Sequence, residues 1–153
     1  MHQLIVLETL LPKGLTESLF TKALDVTLSH LHATLDGSVH LSFVDNDQSQ
    51  KINMSNTGND YPTDVLSFRY PVEKHAKGDA AVEIIICTPI ARLQAKQYNV
   101  SLAEEVSLLF VHGLLHSLGF DHQNSKEQIA YEQTQNTIMK KLNLTTRDMP
   151  WSR

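Results

Sequence analysis

The sequence predicts an α+β fold: a single domain over residues 1–153, in which a mixed sheet of roughly four strands is packed by helices. Three observations carry this reading. Short apolar runs alternate with longer runs of helical period. No repeat, low-complexity tract or linker divides the chain. At 153 residues, 41% hydrophobic, it can close one core, and its composition is neither disordered nor membrane-spanning.

Leu4 to Leu7 read as a short apolar strand, and Pro12-Lys13-Gly14 as a breaker. Leu15, Leu19, Ala23, Leu24, Leu28 and Leu31 then recur at helical spacing and give one apolar face. Asp36-Gly37 is a turn signal. Val39, Leu41 and Phe43 alternate with Ser38, His40 and Ser42, the pattern of a half-buried strand. Asp45-Asn46-Asp47 can cap a short helix to about Met54, followed by a polar loop from Ser55 to Asp60. Val65 to Phe68 form the third strand and Ala81 to Cys87 a fully buried central one, with a charged loop over 71–80 between them. Thr88-Pro89 opens a helix, with proline at its first position. Ser101 and Glu104 make a capping box for a deeply packed helix that Gly119 ends. Ser125 to Gln128 make a second box, opening a last helix to about Leu142, and 143–153 remain as a loose tail.

A formal net charge of -4 argues against a protein coated in positive charge, while leaving room for a local basic cleft. One cysteine, Cys87, excludes an internal disulfide framework and a cysteine-built zinc ribbon. The N-terminal residues lack the pattern of a signal peptide, and no apolar run reaches a membrane span of roughly 18–20 residues. Together with the free thiol these features point to the cytoplasm and to no membrane partner.

The chemistry concentrates in His112-Gly113-Leu114-Leu115-His116-Ser117-Leu118-Gly119-Phe120-Asp121-His122. His112 and His116, four apart on a helix, project from one face. Gly119 supplies the turn that returns His122 toward them. Three imidazoles leave a fourth position open, as at a catalytic zinc site, and place the metal at the end of a buried helix. Neutral imidazoles without cysteine favour Zn2+, with other late first-row divalent metals admissible. The bland alternative is three surface or core histidines on an amphipathic helix. The spacing also matches the long zinc-protease signature except at Gly113, where the protease carries the glutamate that activates water. Without that base, peptide hydrolysis loses its proton acceptor.

This run closely resembles the signature of the YbeY family of bacterial metalloproteins, described as endoribonucleases of ribosomal RNA maturation and ribosome quality control. Asp60-Tyr61-Pro62-Thr63-Asp64-Val65-Leu66-Ser67-Phe68 is nearly the family's other signature run, with Glu83-Ile84-Ile85-Ile86 between the two. The resemblance is strong over about 53–122, and extends to the whole chain in length and element order. It implies that His112, His116 and His122 hold zinc, and that RNA and the ribosome, or ribosome-associated proteins, are the partners. For Asp121 two readings stand side by side: a catalytic or orienting carboxylate near the metal water, or a turn residue after Gly119.

The sequence departs from the family in ways that bear on activity. The family usually carries an aromatic-Arg pair shortly after its Asn, here Asn53, and a Lys before the Asp-x-Pro run. Asn56, Thr57 and Asn59 stand in those places. That arginine is the family residue most often linked to RNA cleavage, and threonine cannot clamp a phosphate bidentately. Val82 replaces the glycine of the family's Gly-Asp-Ile strand, and Glu83 keeps the charge. Arg69 offers one positive charge whose direction depends on strand register.

Other features read as bland. His30 and His32, two apart on a helix, point about 200° apart and cannot share an ion. His40 lies on a polar strand face, and His2, His75 and Trp151 fall in end or loop regions. Asp45 and Asp47 are a helix cap without the glycine of a calcium loop. Three functions follow in order: a single-strand-specific, metal-dependent endoribonuclease; a ribosome-associated zinc-binding factor with weak or lost nuclease activity; and a zinc peptidase, which Gly113 disfavours.

Overall fold

A computed structural model describes residues 5–71, 73 and 79–149. His2, His75 and Trp151 lie outside the described residues. Among the described residues the elements follow in chain order: β1 (Ile5–Leu7), α1 (Glu17–Leu31), β2 (Ser38–Val44), α2 (Asn46–Thr57), β3 (Val65–Arg69), β4 (Ala80–Cys87), α3 (Thr88–Gln97), α4 (Leu102–Ser117) and α5 (Ser125–Lys141). The four strands form one mixed sheet in the order β1-β2-β4-β3. β1 and β4 run parallel to β2, and β3 runs antiparallel to β4. The apolar run at 81–87 is therefore central, and its residues from Ile84 to Cys87 are buried. β3 occupies an edge.

Phe20 of α1, Phe43 of β2 and Phe110 of α4 meet edge to face, with centroids 5.8 and 5.3 Å apart, and key both helices onto one sheet face. Val39, Leu41 and Phe43 are buried as their alternation requires. Ser38 and Ser42 are buried as well, so β2 is covered on both faces rather than one.

Two boundaries differ from the sequence reading. α2 runs to Thr57 because its polar end bonds back to the preceding turn. Asn56 Nδ2 donates to Ile52 O and Thr57 Oγ1 to Asn53 O, each at 2.8 Å, and Gly58 closes the helix at φ 80°. The last helix is capped one residue earlier than expected, by Asn124, whose Oδ1 accepts the Glu127 N–H at 2.9 Å.

The segment read as a loose tail is docked as far as residue 149. Arg147 is buried and grips the fully buried Glu105 bidentately, with Nε–Oε1 at 2.7 Å and Nη2–Oε2 at 2.6 Å. Its guanidinium also lies 4.0 Å over the Tyr98 ring. Burial opposes the charge on Arg147, and the hydrogen bonds and charge of Glu105 more than offset this, so its pKa is raised.

Glu104 makes the expected capping box with Ser101 and also accepts the Thr145 N–H at 2.8 Å. Hydrogen bonds from Thr145 and then from Ser101 hold its carboxyl down to about 2, against an ordinary value of 4.5. A depressed carboxylate pKa stabilises the fold above the unfolded value and loses that contribution as pH falls through the folded one. Glu104→Gln should therefore be less stable than wild type at pH 7, and the gap should close as pH falls from about 4.5 to about 2. Urea melts at pH 7 and pH 2.5 check this, and an unchanged gap would refute it.

Candidate functional site

The site is a cleft of about 440 Å³ between the edge strand β3 and the C-terminal half of α4. Its far wall is the loop from Tyr61 to Asp64, which α2 pins in two places. Ser49 Oγ donates to Thr63 O and accepts the Thr63 N–H, both at 3.0 Å. Asn53 Nδ2 donates to Tyr61 O at 2.8 Å. These polar side chains on α2 hold the loop at its start, and the Cys87 N–H of β4 donates to Asp64 O at its end, at 2.9 Å. Asp64 then caps the start of β3, its Oδ1 accepting the Val65 N–H at 2.8 Å.

α4 lies close over β3 at Gly113. A Cβ at Gly113 would sit 3.4 Å from Ser67 Cβ, 3.5 Å from Val65 Cγ2 and 3.6 Å from Ile84 Cγ2. A methyl fits there in van der Waals contact. Gly113 carries no carboxylate, so a protease-type base is chemically absent at this position.

His112, His116 and His122 all line this one cleft. Gly119 makes the turn at φ 105°, a conformation that favours glycine. His112 is half-buried and held on several sides. Its ring stacks on Tyr131 at 4.7 Å with a 17° tilt, its Nδ1 lies 2.9 Å from Gln135 Oε1, and its backbone carbonyl accepts the Tyr131 hydroxyl. An amide oxygen at Nδ1 makes that nitrogen the proton carrier and leaves the lone pair on Nε2. His116 is exposed and His122 half-buried, with the His122 ring centroid 6.5 Å from that of His112.

Among the described residues no group of three His, Cys, Asp or Glu side chains is arranged so that it could hold a metal ion. The chemistry of the donors nonetheless suits one. Three imidazoles open on a common cleft, and one already has its outer nitrogen engaged as metal-bound histidines do.

Asp121 does not line the cleft. Its Oδ1 accepts the His122 N–H at 2.7 Å, the bond of a turn residue. Thr57 does line it, its hydroxyl turned onto Asn53 O and Oδ1 at 2.8 and 2.7 Å. Arg69 does not line it and pairs with Asp36 at 3.6 Å. Among the described lining residues there is no Lys or Arg. Glu83 faces away from α4, because its neighbour Ile84 faces Gly113. It accepts the Tyr70 hydroxyl at 2.8 Å, and burial, then this bond, raises the Tyr70 pKa to about 12.

Ser117, Cys87 and Ser38 are held in structural contacts. Ser117 Oγ donates to Leu114 O at 2.8 Å within its own helix. Cys87 is buried, its Sγ donating to Asn46 Oδ1 at 3.2 Å, and burial pushes its thiol up. His40 does bridge a serine and an acid, with Ser38 Oγ 3.1 Å from Nε2 and Glu8 on Nδ1. Ser38 is only 5% exposed, however, so this chain ties the end of β1 to β2.

Sequence reading missed Tyr131, Gln135, Gln94 and Asp64. Gln94 Nε2 joins Glu105 Oε2 at 2.7 Å to Asp64 Oδ2 at 3.3 Å, so a buried polar chain reaches the cleft wall. One signal was present: Gln135 falls on the same helical face as Tyr131 and Ile138, where a polar residue needs a partner.

A family model described as Endoribonuclease YbeY matches residues 8–143. Curated relatives bear the same description. One from Polynucleobacter asymbioticus is 35% identical, covering 72% of this chain and 70% of its own. One from Alkaliphilus oremlandii is 34% identical, covering 82% and 85%. The solution structure of the Thermotoga maritima protein TM1509 is similar in fold, with a TM-score of 0.56 at 24% identity, covering 98% of this chain and 100% of that one.

Proposed function

The chain belongs to the YbeY endoribonuclease family, and from that premise we propose that it is a metal-dependent endoribonuclease that cuts single-stranded RNA in ribosomal RNA maturation and ribosome quality control. The observation that carries this is the opening of His112, His116 and His122 onto one cleft beside an edge strand. These three residues would hold the metal, zinc first and other late first-row divalent ions next. When bound, it supplies a Lewis acid for a phosphate oxygen and an acidified water as nucleophile.

The chain's own residues do the rest. Gly113 lines the cleft in which the scissile segment would lie. Tyr61, half-exposed on the cleft wall, offers a ring on which a base can stack. With no Lys or Arg among the described lining residues, RNA would be held by such stacking and by backbone groups. On this reading its partners would be the ribosome or ribosome-associated proteins, in the cytoplasm. Among the described residues no helix is long and apolar enough to cross a membrane.

A second reading rests on the same absence of cleft cations: a ribosome-associated zinc-binding factor whose nuclease activity is weak or lost. Thr57 is the discriminating residue. It is exposed at the cleft and its bonds are local, so Thr57→Arg should fold and add a guanidinium where phosphate would pass. Metal content is measured on the purified protein, and cleavage of structured rRNA fragments is followed with and without chelator. The nuclease reading expects metal-dependent cleavage by wild type, which Thr57→Arg raises by about tenfold or more. A wild type that binds metal without cutting, beside a Thr57→Arg that cuts, establishes the second reading. Metal-dependent cleavage of casein would overturn both.

A further inference from the structure

We infer that Gln135 is a positioning residue: its amide oxygen fixes His112 in the Nδ1–H tautomer, so that Nε2 keeps its lone pair for the cleft. This rests on the metal reading of the cleft proposed above.

Gln135 is fully buried on α5, one turn after Tyr131. The two act on His112 together. Gln135 Oε1 stands 2.9 Å from Nδ1, while Tyr131 stacks on the ring and donates to the backbone carbonyl. Ring plane and outer nitrogen are therefore both set from α5.

The other end of the amide is the telling part. Gln135 Nε2 is buried with no hydrogen-bond partner among the described residues. A buried N–H without an acceptor is costly, and a methionine of similar length would fill the space without that cost. Packing alone therefore does not call for glutamine, and the oxygen is what this position supplies. Turned over, the amide would donate to Nδ1, move the ring proton to Nε2 and remove the lone pair a ligand needs.

The group's neutrality matters as well. A carboxylate at this place would make the imidazole a stronger donor but would cancel part of the ion's charge. In a cleft whose described lining holds no Lys or Arg, an amide orients the ligand and leaves that charge available to phosphate.

The test compares wild type, Gln135→Met and Gln135→Glu. The His112 tautomer is read by long-range nitrogen–proton NMR on metal-free protein, and Zn2+ affinity by competition with a chromophoric chelator. Wild type should show the Nδ1–H tautomer, and Gln135→Glu should keep it with zinc affinity at least equal to wild type. Gln135→Met should lose the single tautomer and bind zinc about 10–100-fold more weakly. An Nε2–H tautomer in wild type overturns the inference without recourse to any variant. So does a Gln135→Met protein that keeps both the tautomer and the affinity. A wild type with the Nδ1–H form that binds no zinc supports the role of Gln135 and overturns the metal reading instead.

Discussion

Changing His116 to alanine should abolish metal-dependent RNA cleavage, lowering it by more than the roughly 10–100-fold that loss of a ligand's supporting hydrogen bond costs. It should leave the fold almost untouched. His116 is exposed at the end of α4, and exposed substitutions away from caps and core usually stay within about 0.5 kcal/mol. His112→Ala makes the contrast. It removes the stack on Tyr131 and strands the oxygen of Gln135, so it should cost about 1–3 kcal/mol of stability together with activity. Cleavage rates with urea melts on both variants separate chemistry from folding. Retained cleavage in a fully folded, metal-free His116→Ala would sink the metal assignment.

Arg147→Met should destabilise the protein by about 3–5 kcal/mol, the usual result of leaving one member of a buried ion pair without its partner. Glu105 is fully enclosed, and without Arg147 it keeps the hydrogen bond from Gln94 Nε2. The double variant Glu105→Gln/Arg147→Met should recover a large part of the loss, because no uncompensated charge remains. The readout is the urea midpoint at constant slope. A loss below about 1 kcal/mol in the single variant would mean that Arg147 is not enclosed in solution.

These two residues mark the range of what the sequence discloses. His116 was legible because the signals around it are local: the capping box at Ser101, the helical period through Leu118 and the bend at Gly119. The last helix slipped by one residue because Asn124 and Ser125 are both good caps, and only the bond to the Glu127 N–H decides between them. The end of α2 slipped because Asn56 and Thr57 read as loop residues until their side chains are seen bonding to the previous turn. Arg147 was not legible at all. Its partner lies 42 residues earlier, and no local pattern distinguishes a buried arginine from one in a polar tail. The same holds for Gln135 and His112, 23 residues apart on different helices.

The strand order carries a consequence for the birth of the molecule. Among the described strands, β3 is made before β4 and pairs with β4 alone, and β2 gains its inner neighbour only when β4 arrives. On the ribosome, one long edge of β2 and the whole of β3 therefore wait without backbone partners until residue 87 is free of the exit tunnel. The pairing that ends the wait spans Ser38 to Ala80, a long loop to close. During that interval the nascent chain presents apolar edges to any neighbouring strand, including those of its sister chains on the same message. A member of an endoribonuclease family is thus, in its own synthesis, most exposed at the strand that will later wall its cleft.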